Sequence, residues 1–343
     1  MSKTNRQPAI SVLLTTYNRA NLLPSAIRSV LRQDFTSYEM LILDDCSPDH
    51  TAQVVHSFVD SRIHYIRQEK RNGFTENFRT GIRRARGTYL FLLSDDDMIL
   101  KADTLSKMVS AMDKYKAGIG AMSILFYEHD PFHPSYRISG GKPQYLPPSK
   151  ENILKTIDWH FGFMSGLMYR RNLINMKDII DDLWVAHLKP LYRILLSHGC
   201  YYLGDHYIIA KNSTSGNISH LDVQVNDGYH LLKQLQMYRD LDISTKRYHT
   251  FVKIHTIGVA GSFPGIRYFT SIKNTLRISY WLIKIYPQIL LSFRFYFYLI
   301  IAVVLPKQVL GFVRQIKLKN GQQKITPFIK DIELEKNLRA FIH

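Results

Sequence analysis

The stretch Thr88-Tyr89-Leu90-Phe91-Leu92-Leu93-Ser94-Asp95-Asp96-Asp97 decides the fold. Thr88–Leu93 is a nearly all-apolar run of strand length, which suits a parallel strand covered on both faces. The run ends on three adjacent carboxylates. These repel one another and favour protonation unless a cation neutralises them. At the carboxyl end of a parallel strand they face the ligand crevice of an open α/β sheet. Oxygen ligands of this kind suit Mg²⁺ or Mn²⁺, and Mg²⁺ commonly uses one or two carboxylates plus substrate phosphates. A metal held there could neutralise a diphosphate leaving group. The competing reading, a turn that caps the next helix, needs one acid and not three.

Working outward toward the N-terminus, apolar runs alternate with helical patterns. Strands are expected at Ala9–Leu14, Glu39–Leu43 and Arg62–Arg67, and a helix at Asn21–Gln33. Ser47 or Asp49 could cap the next helix, with Pro48 in its first turn. Thr75 can cap a helix through Ala85, which Gly87 would end. Toward the C-terminus, Ala117–Tyr127, Gly166–Tyr169 and Tyr201–Ala210 are further strand candidates, and Glu128–Pro148 reads as a loop. Alternation at this spacing predicts an α/β, doubly wound, mostly parallel sheet. After about Val223 the β signal fades. The expected division is a catalytic domain over 1–222 and a basic helical region over 223–343.

The charge is unevenly distributed. The 343 residues carry a net charge of +17, and between Leu241 and His343 there are 16 Lys and Arg against 4 Asp and Glu. Such an excess fits nucleic acid, an anionic membrane surface or an anionic lipid substrate. Ile289–Leu305 is apolar and aromatic but interrupted by Ser292 and Arg294, and it is near the minimum length for a spanning helix. A helix lying in the membrane interface is the expectation. Cys46 and Cys200 are too few for a disulfide framework, and Met1–Pro8 has no signal-peptide pattern, so a cytoplasmic protein peripheral on the inner face of the membrane is expected.

Two more strand ends carry chemistry. Asp44-Asp45 follows an apolar run, and a carboxylate there can accept hydrogen bonds from a base N–H or from ribose hydroxyls. Thr15-Thr16-Tyr17-Asn18-Arg19 follows the first strand. Hydroxyls and a flat ring can hold a nucleoside, and Arg19 can meet phosphate. No GxGxxG and no Walker sequence is present, so dinucleotide and P-loop chemistry lack their usual phosphate cradle.

The set Ile10–Arg19, Leu41–Thr51, Arg71-Asn72-Gly73 with Asn77, and Gly87–Asp97 resembles glycosyltransferase family 2 in order and spacing over about the first 110 residues. The resemblance implies a GT-A (Rossmann-like) fold with a helical extension, a nucleoside-diphosphate-sugar donor, a divalent cation and inversion at the anomeric carbon. It matches Tyr17 and Asp44 or Asp45 to nucleoside-contacting positions; together with the reading of the residues, nucleotide-sugar contacts are expected at Thr15, Tyr17, Arg19, Asp44, Asp45, Asn77 and Asp95, and metal binding at Asp96 and Asp97. The first acid of the family's DXD element falls on Ser94, which leaves the division of labour within Asp95–Asp97 open. The Leu-Leu-Ser-Asp-Asp-Asp form resembles members that build bacterial surface polysaccharides such as O-antigen. A polyprenyl-diphosphate-linked glycan acceptor would suit the basic, aromatic C-terminal region.

The catalytic base is less legible. Inverting chemistry needs a carboxylate or histidine to take the acceptor proton. The family's Glu-Asp pair is missing, and Asp181, Asp182 and His187 are the candidates. His206 and His220 have weaker claims. Lys211, at the head of Asn212–Asn217, could close over a diphosphate. A sugar-phosphate nucleotidyltransferase would show glycine after the first strand, and Thr15–Arg19 has none. A nucleic-acid-binding protein would not place acids at strand ends, where they repel phosphate.

Overall fold

A computed structural model describes residues 7–127, 130–134, 136–138, 141–149, 163–181, 186–211, 253, 263–269, 271–312 and 316. The chain divides into two compact units, Met1–Lys211 with Phe328–His343, and Asn212–Pro327.

The first unit is an α/β sheet in which Ile63–Arg67, Tyr38–Asp44, Ile10–Thr16, Tyr89–Ser94, Met168–Arg170, Ile119–Tyr127, Cys200–Lys211 and Asp97–Ile99 lie side by side in that order. The strands β1 (Ile10–Thr16), β2 (Tyr38–Asp44), β3 (Ile63–Arg67) and β4 (Tyr89–Ser94) run parallel. β1, β2 and β4 are buried almost throughout and show no in-out alternation, as strands covered on both faces should. β6 (Ile119–Tyr127) and β10 (Cys200–Lys211) form a second parallel pair. The short strands are antiparallel. β9 (Met168–Arg170) joins β4 to β6, and β5 (Asp97–Ile99) pairs with β10. β7 (Tyr136–Ile138) and β8 (Gln144–Leu146) add to β6 and β10. The sheet thus matches the expected plan in its long strands, while β5 and β9 depart from it. A three-residue strand carries no periodicity of its own, so its direction is set by its neighbours.

Helix faces cover the sheet. α1 (Leu23–Leu31) buries Leu23, Ala26, Ile27 and Val30, and α4 (Thr104–Tyr115) buries Leu105, Met108 and Met112, both at helical spacing. α4 stops at Lys116, which is left-handed at φ 54°. α2 (Thr51–His56) is short, and α5 (Leu188–His198) leads into β10. α3 (Phe74–Arg84) begins after Gly73 rather than at Thr75, because Gly73 takes φ 82°. It ends at Ala85, whose backbone is already extended. Gly87 is needed for a different reason from the one expected. A Cβ there would lie 2.4 Å from the Ser11 nitrogen, so only glycine lets this turn approach β1. Beside it the buried Glu39 accepts from the Ser11 hydroxyl at 2.6 Å and from Arg86 N and Nε, each at 2.7 Å. Burial opposes the Glu39 charge, but these bonds hold its pKa below the ordinary value.

In the second unit, α6 (Phe263–Phe269), α7 (Ile272–Ile285) and α8 (Phe293–Val304) are the described helices of seven residues or more. The apolar stretch expected at Ile289–Leu305 is broken at Ser292, which is extended between a 3₁₀ turn, Pro287–Leu291, and α8. Among the described residues no helix is long and apolar enough to cross a membrane.

Candidate active site

Strand register brings the three polar segments together. β1 lies between β2 and β4, with Thr16 opposite Asp44 and Thr15 opposite Ser94. All three strands run parallel, so Thr15–Arg19, Asp44-Asp45 and Asp95–Asp97 leave the sheet at one edge.

Backbone and side-chain bonds stitch these loops. The Asp45 N–H donates to the Thr16 carbonyl at 3.1 Å, the Asn18 N–H to Ser47 Oγ at 2.9 Å, and the Ala20 N–H to Asp49 Oδ2 at 3.0 Å. Asp44, fully buried, accepts from the Ser47 N–H and hydroxyl and from the Tyr65 hydroxyl. Asp45 accepts from the Asn72 and Gly73 N–H groups at 2.8 and 2.9 Å, which ties the loop before α3 to the end of β2. Asn77 is buried and donates to the Leu43 carbonyl at 2.7 Å. Tyr17 is half-buried, with the Arg71 guanidinium 4.1 Å from its ring centroid. Asn18 and Cys46 are both left-handed, at φ 54° and 65°. Asn tolerates that region, whereas Cys is strained there.

The acidic turn is the electrostatic centre. Asp95 and Asp97 are 3% and 1% exposed. Arg19 Nη1 lies 2.8 Å from Asp96 Oδ2 and 3.2 Å from Asp95 Oδ1. Burial first, then Asp96, pushes the Asp95 pKa up to about 7, although Arg19 pulls it down. Burial, then Asp96, raises Asp97 well above the carboxylate range, against a hydrogen bond from Ser165. Burial acts against the Arg19 charge, yet Asp96 and Asp95 hold its pKa above the ordinary value. Three acids thus share one guanidinium, a donor set short of positive charge, and a divalent cation fits it. Among the described residues no three His, Cys, Asp or Glu side chains converge on one ion. A cation held here therefore needs oxygens from a ligand, such as a diphosphate.

Sequence reasoning missed Ser165 and Tyr127. Ser165, buried just before β9, sits with its hydroxyl 2.5 Å from Asp97 Oδ2 and accepts from the Ser94 N–H at 2.9 Å. Tyr127, at the end of β6, joins Asn21, Ser25 and Asp96 in lining a cavity of about 100 Å³. Burial, then Asp97 and Asp96, raise its pKa. Neither residue sits in a local motif, so no sequence signal marked it. Asp181 is exposed, with Arg79 Nη1 donating to it at 2.6 Å. His187 is 2% exposed and precedes α5, and its carbonyl accepts from the Tyr169 hydroxyl at 3.2 Å. Asp182, His220 and the segment Asn212–Asn217 lie outside the described residues.

Residues 11–176, which hold β1 to β9 and the whole acidic turn, match the family model Glycosyl transferase family 2. This segment is a family 2 glycosyltransferase domain. The family 2 domain is similar to bacterial polysaccharide enzymes. Over 111 residues the chain is 34% identical to the putative teichuronic acid biosynthesis glycosyltransferase TuaG of Bacillus subtilis, covering 32% of this chain and 44% of that one. It is 36% identical, also over 111 residues, to a GalNAc(5)-diNAcBac-PP-undecaprenol beta-1,3-glucosyltransferase of Campylobacter jejuni, covering 32% and 36%. The chain thus spans less than half the length of either relative. The crystal structure of S. aureus TarS 1–349 in complex with UDP-GlcNAc superposes with a TM-score of 0.55 at 15% identity, covering 94% of this chain and 92% of that one. That likeness is one of fold.

Proposed function

We propose that the protein transfers a sugar from a nucleoside-diphosphate sugar to a hydroxyl of a lipid-linked glycan, with inversion. The observation that carries this reading is the meeting, at one sheet edge, of a nucleoside-sized polar loop and a charge-deficient carboxylate turn. Thr15, Tyr17, Asp44, Asp45 and Asn77 shape the nucleoside side of the crevice. Asp96, with Asp95 or Asp97, would hold Mn²⁺ or Mg²⁺. When bound, the cation offsets charge that develops on the departing diphosphate. The acceptor oxygen bonds to the anomeric carbon as the bond to the diphosphate breaks, and the acceptor proton passes to a base. Asp181, Asp182 and His187 are the candidates, and Asp181 presents an exposed carboxylate. The name of the Campylobacter relative, a polyprenol-diphosphate glucosyltransferase, supports a lipid-linked acceptor.

A second observation favours action at a membrane surface. α8 exposes Phe293 (79%), Ile300 (58%) and Val304 (69%) along one face, with Phe297 beside them. No Asp or Glu occurs between Ile243 and Lys330. An apolar face in an acid-free, basic region suits insertion among anionic lipids, where each Lys or Arg contributes about 1 kcal/mol.

The deciding experiment is a screen of nucleotide sugars for hydrolysis and transfer to a polyprenyl-diphosphate glycan, with Mn²⁺ and with chelator. Asp96→Asn should abolish turnover while thermal unfolding stays near that of the wild type. Wild-type turnover in Asp96→Asn, or in chelator, would sink the metal-assisted reading. Flotation with phosphatidylglycerol vesicles checks the membrane reading. Full-length protein should float at low salt, and Phe293→Ser/Ile300→Ser should not.

A further inference from the structure

Arg19 stands out in the acidic turn because a single nitrogen serves two carboxylates. Nη1 bonds Asp96 and Asp95 together, and their side chains are only 10% and 5% exposed. The backbone on both sides of Arg19 is fastened. The Asn18 N–H is held by Ser47, and the Ala20 N–H by Asp49. The Arg19 side chain keeps 30% of its surface in solvent, so it can swing away without moving its own backbone. Asp95 and Asp96 are also the carboxylates that would face a divalent cation, and a cation and a guanidinium cannot share the same oxygens at close range. A cation that binds there must evict Arg19. Once evicted, Arg19 is left at the mouth of the crevice with no carboxylate partner. The anion the donor brings is a diphosphate, which a guanidinium binds in bidentate fashion.

We propose that Arg19 is an exchangeable counter-ion. It neutralises Asp95 and Asp96 until a divalent cation takes them, and then moves to the donor diphosphate. This rests on the reading of the site given under Proposed function and adds a regulation of it. Cation alone must break two ion pairs. Diphosphate alone must draw Arg19 away and leave buried carboxylates uncompensated. Both ligands together meet neither penalty. Arg19 therefore couples the two affinities, and by linkage the coupling is reciprocal. Such a device disfavours a metal-loaded site without donor, and a donor-loaded site without metal.

The test measures binding, not turnover. Mn²⁺ is titrated into the full-length chain by calorimetry and by the loss of free-ion paramagnetic resonance. The titrations are repeated with whichever of UDP, GDP and dTDP the wild type binds. In the wild type, nucleoside diphosphate should tighten Mn²⁺ binding by roughly tenfold or more. In Arg19→Gln, Mn²⁺ alone should bind about tenfold tighter than to wild type, nucleoside diphosphate should bind more weakly, and the coupling should fall about tenfold, to the part that direct contact between cation and diphosphate supplies. Arg19→Lys keeps the charge but loses the fork, and should lie between the two; it also decides the matter if Arg19→Gln does not fold. Unchanged or weaker Mn²⁺ binding in Arg19→Gln, or coupling there as large as in the wild type, overturns the counter-ion proposal. The metal-assisted reading survives that result as long as wild-type binding of nucleoside diphosphate needs Mn²⁺. Failure of the wild type to bind Mn²⁺ under any of these conditions overturns both.

Discussion

Ser165→Ala removes one oxygen from the buried side of the acidic turn and leaves two groups without a partner. The Ser165 hydroxyl serves Asp97, which is 1% exposed, and its oxygen accepts from the Ser94 N–H at the end of β4. A buried polar group deprived of its hydrogen bond costs about 1–3 kcal/mol. Two such losses, partly relieved by movement of the turn, give an expected destabilisation of about 3 kcal/mol. For a unit of this size that lowers Tm by roughly 6–12 °C. Urea unfolding followed by circular dichroism measures the first quantity, and calorimetry the second. The same change loosens the turn that carries Asp96, so affinity for nucleoside diphosphate should fall as well. A destabilisation below about 0.5 kcal/mol, the level of an ordinary surface substitution, would refute the argument that Ser165 supports the turn.

Cys46→Gly should stabilise the protein by about 1 kcal/mol in thermal unfolding, because Cys46 sits at φ 65° where a side chain is strained and glycine is not. Metal-free protein should lose stability as pH rises from about 4 to about 7. The native state keeps a proton on Asp95 up to about 7, while the unfolded chain releases it near 3.8. The Asp95 share of that loss is at most about 4 kcal/mol, since each unit is worth 1.36 kcal/mol, and Asp97, also raised, adds to it. Urea titrations at several pH values should show that slope flattened in Asp95→Asn, and an unchanged slope in that variant would count against Asp95 as its source.

Much of this molecule was legible in local pattern. Runs such as Ile10–Thr16 and Tyr89–Ser94 are mostly apolar and buried almost throughout, so composition alone marks them as central strands. The acids at their ends were visible for the same reason, since carboxylates that abut a buried strand have nowhere to go but the crevice. What the pattern could not contain is partnership. Ser165 reaches Asp97 across 68 positions, Arg19 reaches Asp96 across 77, and Arg79 reaches Asp181 across 102. Asp45 and Asn77 read as ligand groups in the sequence, yet the structure gives them backbone partners from Asn72, Gly73 and Leu43. A strand was expected at Gly166–Tyr169 and β9 is there, but its antiparallel insertion between β4 and β6, which delivers Ser165, is set by those neighbours and not by its own three residues. Hydrophobic burial is a property each segment carries in its own composition, so the sequence alone set the layers of the sheet. The charge state of Asp95 and Asp97 depends instead on burial and on one guanidinium, and only the folded chain brings these together.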